Sequence, residues 1–531
     1  MSILIWGSFL LIVAAVWIYA YQKSRSVNIE SAEGYFMGGR SLTALPIAGT
    51  IIMTNLSTEQ IVGQNAQSYV AGMEVMAWEV TATVAIVALA LVFLPRYFEF
   101  GINTISDLLE IRYDTTVKRI VSALFIFTYM SSFLPVVLYS GALVFDQIFD
   151  VSGTFGLDPF VSVVVVVVGI GIVGILYLLM GGLSLSANSD TIYGVGLLVV
   201  GLLIPFLGVR MIGDGSFLAG LQSIQATTPE LLNSVGALDS DIVPWPTLVL
   251  GLFFNNLYFW CCNQMIIQKA FSAKNLGEAQ KASFLVGIFK TVAALFLVFP
   301  GIVGRNLFGD SFLNNPDIVY PTLVNTVLPV VLKGVFAAVI FGAVLSSFAG
   351  ALNSTATLFA LDFYKPMINP EADDKKVARI GKLSTVVVGV ISVVIAPFIA
   401  FAPAGLYQFV QEFNGLYNIS LLVIILFAFY SKTATTKAAK ATMVVHIVLY
   451  AASKFVLADV HYLYVWSALF FIDALVMWAV SKFSSEGEFV LEAFETNVDS
   501  TPYKHANVVG AVLIILVILT YLAFSPLGLG A

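Results

Sequence analysis

Long apolar runs recur along this chain and constrain its fold more than any other feature. About 14 windows of roughly 20 mostly apolar residues follow one another, each long enough for a helix to cross the hydrocarbon core of a bilayer. Hydrophobic residues make up 59% of the chain and charged residues 11%, against about 25% charged residues in a soluble protein. We therefore predict an all-α polytopic membrane protein with about 14 transmembrane helices and no separate soluble domain.

Lysines and arginines alternate between the predicted loops. Of the 25 such residues, all but five fall in every second loop, and positive charge collects in cytoplasmic loops. Lys269 is among the residues assigned to that cytoplasmic set. The bias predicts a multi-pass protein of the cytoplasmic membrane with both termini on the extracytoplasmic side. The first run, 2–21, lacks a charged leader and a small-residue cleavage site, so we interpret it as a retained span.

Lys290 is the one formally charged residue in the apolar run 282–304. On a helix it lies roughly 12 Å into that run, near the middle of the bilayer. A cation at this depth costs a few kcal/mol at least, so it normally faces a partner or a wet cavity. The alternative is a lysine that snorkels to the interface, which requires a long reach from this position.

Polar residues interrupt two of the predicted spans. The second span carries Thr54–Gln60 at its centre, and the seventh carries polar residues within Phe253–Trp260. Helices that break at membrane depth expose backbone groups for an ion and a substrate, although each stretch can also be a buried polar helix face. The two interruptions are five spans apart, which is typical of a five-plus-five inverted repeat. The predicted layout of this single transporter domain over 1–531 is an extra helix (2–21), a first repeat (45–212), a second repeat (245–431) and extra C-terminal helices (441–525).

Several further polar side chains lie within apolar spans: Gln60, Glu79, Asn256 and Gln411. Together with Lys290 they supply donors and acceptors suited to a ring of neutral hydroxyls, and nearby aromatics suit the apolar face of a sugar. A carboxylate substrate would favour an arginine fork, and no arginine lies in a predicted membrane core. An enzyme is not expected, because we find no nucleophile–base–orienter set and no metal-ligand spacing.

The residues of four long segments resemble the solute:sodium symporter family, which includes the sodium/glucose cotransporters. The resemblance covers nearly the whole chain. Within the family, the chain is most similar to the bacterial sodium/galactose branch, whose fold is 14 helices around a five-plus-five inverted core. The segments are NLSTEQIVG (55–63), GGLSLSANSD (181–190), NLYFWCCNQMIIQKAFSAKNLGEAQK (256–281) and LNSTATLFALDFYK (352–365).

The resemblance implies a role for particular residues. It implies a sodium site and a sugar site, an aromatic inner gate and a sodium exit path, with the lipid bilayer, a small sugar and sodium as partners and no nucleic acid. The sodium ligands are the carbonyls of Met53, Leu56 and Ala343 and the hydroxyls of Ser346 and Ser347; the sugar-bonding side chains are Gln60, Glu79, Asn256, Lys290 and Gln411; the gate is Phe259 with Trp260 beside it; and Asp190 lies on the exit path.

This chain departs from the family pattern in ways that bear on function. Phe259 stands where the gate is commonly tyrosine, and Ala82 stands where the galactose branch has a sugar-contacting serine. Members with a second sodium have hydroxyls just after the paired serines, where this chain has Ala349 and Gly350, so one sodium per sugar is expected. The sialic-acid branch uses an arginine on the fourth span, and none occurs over 120–145.

The expected function is sodium-coupled symport of a neutral monosaccharide of the galactose or glucose kind by alternating access. Alternatives are a sodium symporter of another solute, such as inositol, another polyol or sialate, and a sugar-gated sensor or leak channel on the same scaffold. The identity of the sugar, the affinity and the oligomeric state stay open.

Overall fold

Helices make up almost all of the regular structure in the computed structural model, which describes residues 2–102, 104–401, 406–484, 486–489 and 499–530. The helices of the first half are α1 (Ser2–Ser24), α2 (Ala32–Met37), α3 (Ala44–Asn55), α4 (Thr58–Ala71), α5 (Ala77–Val80), α6 (Ala82–Ala88), α7 (Leu94–Phe100), α8 (Ile105–Arg112), α9 (Thr115–Thr128), α10 (Leu134–Phe149), α11 (Val151–Phe155) and α12 (Pro159–Ile212). The helices of the second half are α13 (Phe217–Thr227), α14 (Gly251–Cys261), α15 (Gln264–Phe271), α16 (Leu276–Ala293), α17 (Phe299–Phe308), α18 (Val319–Val327), α19 (Val330–Leu358), α20 (Asp374–Ile395), α21 (Leu406–Asn414), α22 (Asn418–Tyr430), α23 (Thr436–Val456), α24 (Tyr462–Phe483) and α25 (Ala506–Ala523).

The number of continuous spans is smaller than the sequence predicts. Within the described residues, ten helical stretches are long and apolar enough to cross a membrane, or eleven if α21 and α22, which meet at a 46° bend, count as one span. The all-helical membrane fold is confirmed, but the count of about 14 is not. The difference arises because two predicted spans, 160–180 and 190–212, lie in the single element α12, while other spans are divided into helices too short to cross alone.

The first predicted helix break is confirmed. Helix α3 ends at Asn55 and α4 begins at Thr58, so the break falls inside the polar stretch Thr54–Gln60. Leu56 has φ −88° and ψ 67°, outside the helical region. The backbone groups around it are therefore freed from the regular helical ladder at the depth where the second span is buried.

The second break lies a few residues later than predicted. Helix α14 runs continuously to Cys261, and the chain turns at Asn263, whose side chain caps α15 by accepting from the backbone N–H of Met265 at 3.0 Å. The asparagines inside α14 do not interrupt it because each has a hydrogen-bond partner elsewhere in the bundle. Asn256 donates to Thr81 Oγ1 at 2.7 Å, and Asn255 accepts from Asn418 at 2.9 Å.

Helix α19 lies at the centre of the bundle, and nearly all of its residues are buried. It packs against α1, α3, α10 and α12, while α16 packs against α3 and α6. The terminal helices α1 and α25 are mostly exposed along their apolar sides, as expected for surfaces that face lipid. The broken span α3–α4 is therefore held between α16 and α19, the helices that carry Lys290 and the paired serines.

Gly182 lets α12 bend between its two predicted spans. It is the one residue in α12 with non-helical backbone angles, φ 54° and ψ −149°, and a Cβ there would lie 2.6 Å from the carbonyl oxygen of Tyr35. Alanine at this position would carry both a strained backbone and a clash with α2.

We expect Gly182→Ala to destabilise the protein by about 2 kcal/mol or more, measured as a lower thermal unfolding midpoint in detergent. Gly169→Ala is the matched control, because Gly169 lies in the same helix and a Cβ added there would have no neighbouring atom within 4 Å. Its midpoint should be unchanged or slightly higher. Equal midpoints for the two variants would contradict the role of Gly182.

Candidate functional site

A cavity lined by polar and aromatic side chains lies where the break between α3 and α4 faces α14, α16 and α21. Its volume is ≈ 50 Å³, enough for a few water molecules, so a solute of monosaccharide size requires side chains or helices to move. The lining combines amides, aromatic rings and ionisable groups: Asn55, Glu59, Gln60, Trp78, Tyr129, Phe133, Asn255, Asn256, Phe259, Trp260, Asn263, Met265, Lys290, Tyr407, Val410, Gln411 and Asn414.

Glu79 is fully buried and is the hub of the hydrogen bonds beside this cavity. Gln60 donates to its Oε1 at 2.5 Å, and Gln64 donates to the same oxygen at 2.7 Å. The ammonium of Lys290 donates to Oε2. Three donors from two helices therefore converge on one carboxylate, which is how a buried charge is stabilised in the absence of water.

Lys290 has the partner that its depth required. Its side chain is 2% exposed and that of Glu79 is 0% exposed, so the snorkelling alternative does not apply. The ammonium also lies 5.3 Å from the centre of the Trp260 ring, within the range of a cation–π contact. Removing one member of such a buried ion pair typically costs about 3–5 kcal/mol.

The other predicted solute and gate residues lie around the same cavity. Asn256 and Gln411 line it, and Gln411 Nε2 donates to the Tyr407 hydroxyl at a long 3.4 Å. Phe259 and Trp260 line its α14 side, with ring centres 5.4 Å apart in an edge-to-face arrangement. The structure thus brings together residues that are as much as 351 positions apart in the chain, from Gln60 to Gln411.

Two lining side chains carry buried oxygens without a hydrogen-bond partner among the described residues. They are Asn55 Oδ1 and Glu59 Oε2. Glu59 is 4% exposed, and both residues lie at the start or end of the helices that flank the break. A buried acceptor without a donor is costly, so these oxygens suit a ligand that offers hydroxyl or N–H groups. The sequence prediction did not include Glu59, although it lies in the polar stretch that identified the break.

Two of the predicted sodium ligands, Met53 and Ser347, meet where α19 crosses the same break. The Ser347 hydroxyl lies 3.2 Å from the carbonyl oxygen of Met53 and 3.0 Å from that of Thr54. Leu56 follows at the end of α3, and Ala343 precedes Ser347 by one turn on α19. Hydroxyl and carbonyl oxygens gathered in this way are suitable ligands for a hard cation.

Asp190 lies directly against this group of oxygens and not at a distance from it. Its Oδ2 accepts from Ser346 at 2.8 Å, from Thr50 at 2.7 Å and from Ser186 at 2.9 Å. Asp190 is 1% exposed. A carboxylate buried one hydrogen bond from Ser346 lowers the electrostatic potential at the predicted ion site and so favours a cation there.

Lys269 lies in a helix and not in a loop, so its assignment to a predicted loop is wrong. It lies in α15, is 1% exposed, and its ammonium donates to Thr54 Oγ1. The alternation of lysines and arginines between predicted loops did not reveal this, because α15 follows the second break and packs back against α3. Counting apolar spans along the sequence does not detect such a return.

The sequence analysis also did not identify Thr50 and Thr54 as neighbours of the proposed ion ligands. Their spacing of four residues places them on one face of α3.

Comparisons with known proteins identify the family of the chain. Residues 35–445 match the profile described as Sodium:solute symporter family. The chain is 38% identical over 529 residues to the uncharacterized symporter YidK of Escherichia coli (strain K12), covering 99% of this chain and 92% of YidK. It is 29% identical over 459 residues to the sodium/glucose cotransporter of Vibrio parahaemolyticus, covering 82% of each chain.

The fold is also similar to a solved structure. A Na⁺-coupled sialic acid symporter in a substrate-bound, outward-open state superposes with a TM-score of 0.77 at 19% identity, over 92% of this chain and 99% of that one. At this identity the likeness concerns the fold. The profile match and the 38% identical relative show the family as well as the fold. The chain belongs to the Sodium:solute symporter family and moves a solute across a membrane together with sodium.

Proposed function

We propose that the protein carries a neutral polyhydroxylated solute, of the galactose or glucose kind, across the cytoplasmic membrane with one sodium ion. The main support is the lining of the cavity. Gln60, Asn256 and Gln411 present amide groups that both donate and accept, and Phe259 and Trp260 present rings to the same space. Alternating hydroxyls and an apolar ring face are the features of a pyranose that such a lining complements.

The charges near the cavity disfavour an acidic solute. Glu59 and Glu79 contribute two carboxyl groups, while Lys290 contributes one ammonium that already contacts Glu79. Within the described residues, no arginine lines the cavity. An anionic solute would therefore meet an unpaired carboxyl group and would lack the bidentate fork that carboxylates prefer.

The sodium/glucose cotransporter of Vibrio parahaemolyticus supports the same solute class, because it matches 82% of this chain. The likeness to the sialic acid symporter bears on the fold, and its substrate is not carried over. Sodium/myo-inositol cotransporters are 27% identical over 89% of this chain, so inositol is the nearest alternative to a neutral sugar, and we rank both above sialate.

Coupling follows from the position of the ion ligands beside the break. Sodium bound by Met53, Leu56, Ala343, Ser346 and Ser347 would hold the end of α3 against α19. Gln60 lies in the first turn of α4, four residues after Leu56, and donates to Glu79 at 2.5 Å, so ordering the break also orders the first solute-facing amide. Solute hydroxyls then replace the contacts among Gln60, Lys290 and Glu79, and displacement of Phe259 opens the inward route.

One sodium per solute is proposed because the positions after the paired serines, Ala349 and Gly350, carry no hydroxyl. One charge crossing 100 mV contributes about 2.3 kcal/mol, which corresponds to roughly fifty-fold accumulation. A measured ratio of two sodium ions per solute would contradict this stoichiometry.

The test is uptake into proteoliposomes with an inward sodium gradient. We expect labelled galactose or glucose to accumulate above the outside concentration, and unlabelled neutral sugars to compete better than inositol, with sialate the weakest. Equilibration without accumulation would favour a leak channel, and binding without flux would favour a sensor. Sodium-driven uptake of sialate with no competition by neutral polyols would overturn the proposed solute class while leaving symport intact.

A further inference from the structure

Lys269 is a buried cation that the solute site does not use. It is 1% exposed, and its ammonium donates to Thr54 Oγ1. Fully buried lysines are rare in proteins unless they are paired. A Cβ on Gly350 would lie 2.6 Å from the Lys269 Nζ, so the absence of a side chain at position 350 makes room for the ammonium against α19.

Short hydrogen-bonded steps connect this ammonium to the ion ligands. Thr54 Oγ1 lies 3.1 Å from Ser346 Oγ, and Ser346 in turn donates to Asp190 at 2.8 Å. The two opposite charges therefore lie on either side of the hydroxyls of Thr54 and Ser346.

The proximity of like charges has a consequence for sodium. A sodium ion on Met53, Ser346 and Ser347 would lie beside Thr54, which the fixed ammonium contacts. A sodium ion and the Lys269 ammonium that close together would repel strongly, because little water screens charges in a buried site. Asp190 attracts sodium and Lys269 repels it, so the affinity is set by the difference between the two.

We propose that Lys269 tunes the ion site, holding sodium affinity low enough for sodium to leave on the cytoplasmic side. It acts through its charge on the occupant of the site and as a positioning group for Thr54, and it need not itself bind the transported sodium or solute. The inference rests on sodium coupling and on the proposed ion ligands, and it is independent of which solute is carried.

The experiment measures binding of ²²Na⁺ to the purified full-length protein without solute. Lys269→Met should lower the half-saturating sodium concentration at least tenfold and slow the release of bound sodium. Lys274→Met is the matched control, because Lys274 is exposed and follows the same helix; its half-saturation should equal that of the parent protein. A half-saturation that is unchanged or higher in Lys269→Met would overturn the proposal, since loss of a purely structural contact would not strengthen sodium binding.

A second pair of variants keeps the proposal testable if Lys269→Met does not fold. Asp190→Asn should raise the half-saturating sodium concentration at least tenfold, because the ammonium then acts without its opposing charge. Asp190→Asn combined with Lys269→Met removes both charges and should bind sodium at least tenfold more tightly than Asp190→Asn alone. Equal half-saturation in those two variants would overturn the proposal even if both bind sodium.

Discussion

Replacing Lys290 with alanine is expected to abolish solute uptake, with a loss of at least a hundredfold at any sodium concentration. The change leaves Glu79 buried without the ammonium that contacts it, at a cost of about 3–5 kcal/mol. It also removes a donor from the proposed solute site. The measurement is sodium-dependent uptake in proteoliposomes, normalised to the amount of folded protein recovered.

Two further variants separate function from folding. Lys281→Ala is the matched control on the same helix, because its side chain is 43% exposed and its pair with Glu278 is a surface contact at 3.1 Å, worth no more than about 1 kcal/mol. It should retain uptake. The double variant Lys290→Met with Glu79→Gln removes both charges and should recover folded protein but not uptake. Uptake at the parent level in Lys290→Ala would refute the assignment.

Ser347→Ala is expected to raise the sodium concentration that half-saturates uptake at least tenfold, while the amount of folded protein changes little. The hydroxyl of Ser347 contacts the carbonyl oxygens of Met53 and Thr54, so its loss removes both a proposed ion ligand and a link between α19 and the break. A single lost hydrogen bond costs only about 0.5–1.5 kcal/mol, which the fold tolerates.

Thr355→Val is the matched control for that measurement. Thr355 is also buried on α19, and its hydroxyl donates to the carbonyl oxygen of Ala351 on the same helix at 2.8 Å. Valine keeps its size and removes the hydroxyl. Sodium half-saturation should stay at the parent value, and an equal rise in both variants would show that the effect of Ser347→Ala is general to α19 and not specific to the ion site.

Much of the fold was predictable because the bilayer imposes a length and a polarity on each span. Apolar windows identified the helical membrane class, and the polar stretch Thr54–Gln60 located the first break. The second break was misplaced because Asn255 and Asn256 find hydrogen-bond partners elsewhere in the bundle, whereas Asn263 caps the helix that follows the break. A polar residue in a span therefore indicates either a break or a packing contact, and its partners decide between them.

The sequence by itself determined that Lys290 needs a buried partner, because a cation at mid-membrane depth is unstable alone. Only the tertiary structure decided that Glu79, which is 211 positions away, is that partner, and that Asp190 lies against Ser346. It also placed Lys269, which the sequence assigned to a loop, in α15 with its ammonium against Thr54. The physical reason is that desolvation depends on depth, which span length reveals, whereas pairing depends on which helix faces meet, which requires the packed bundle.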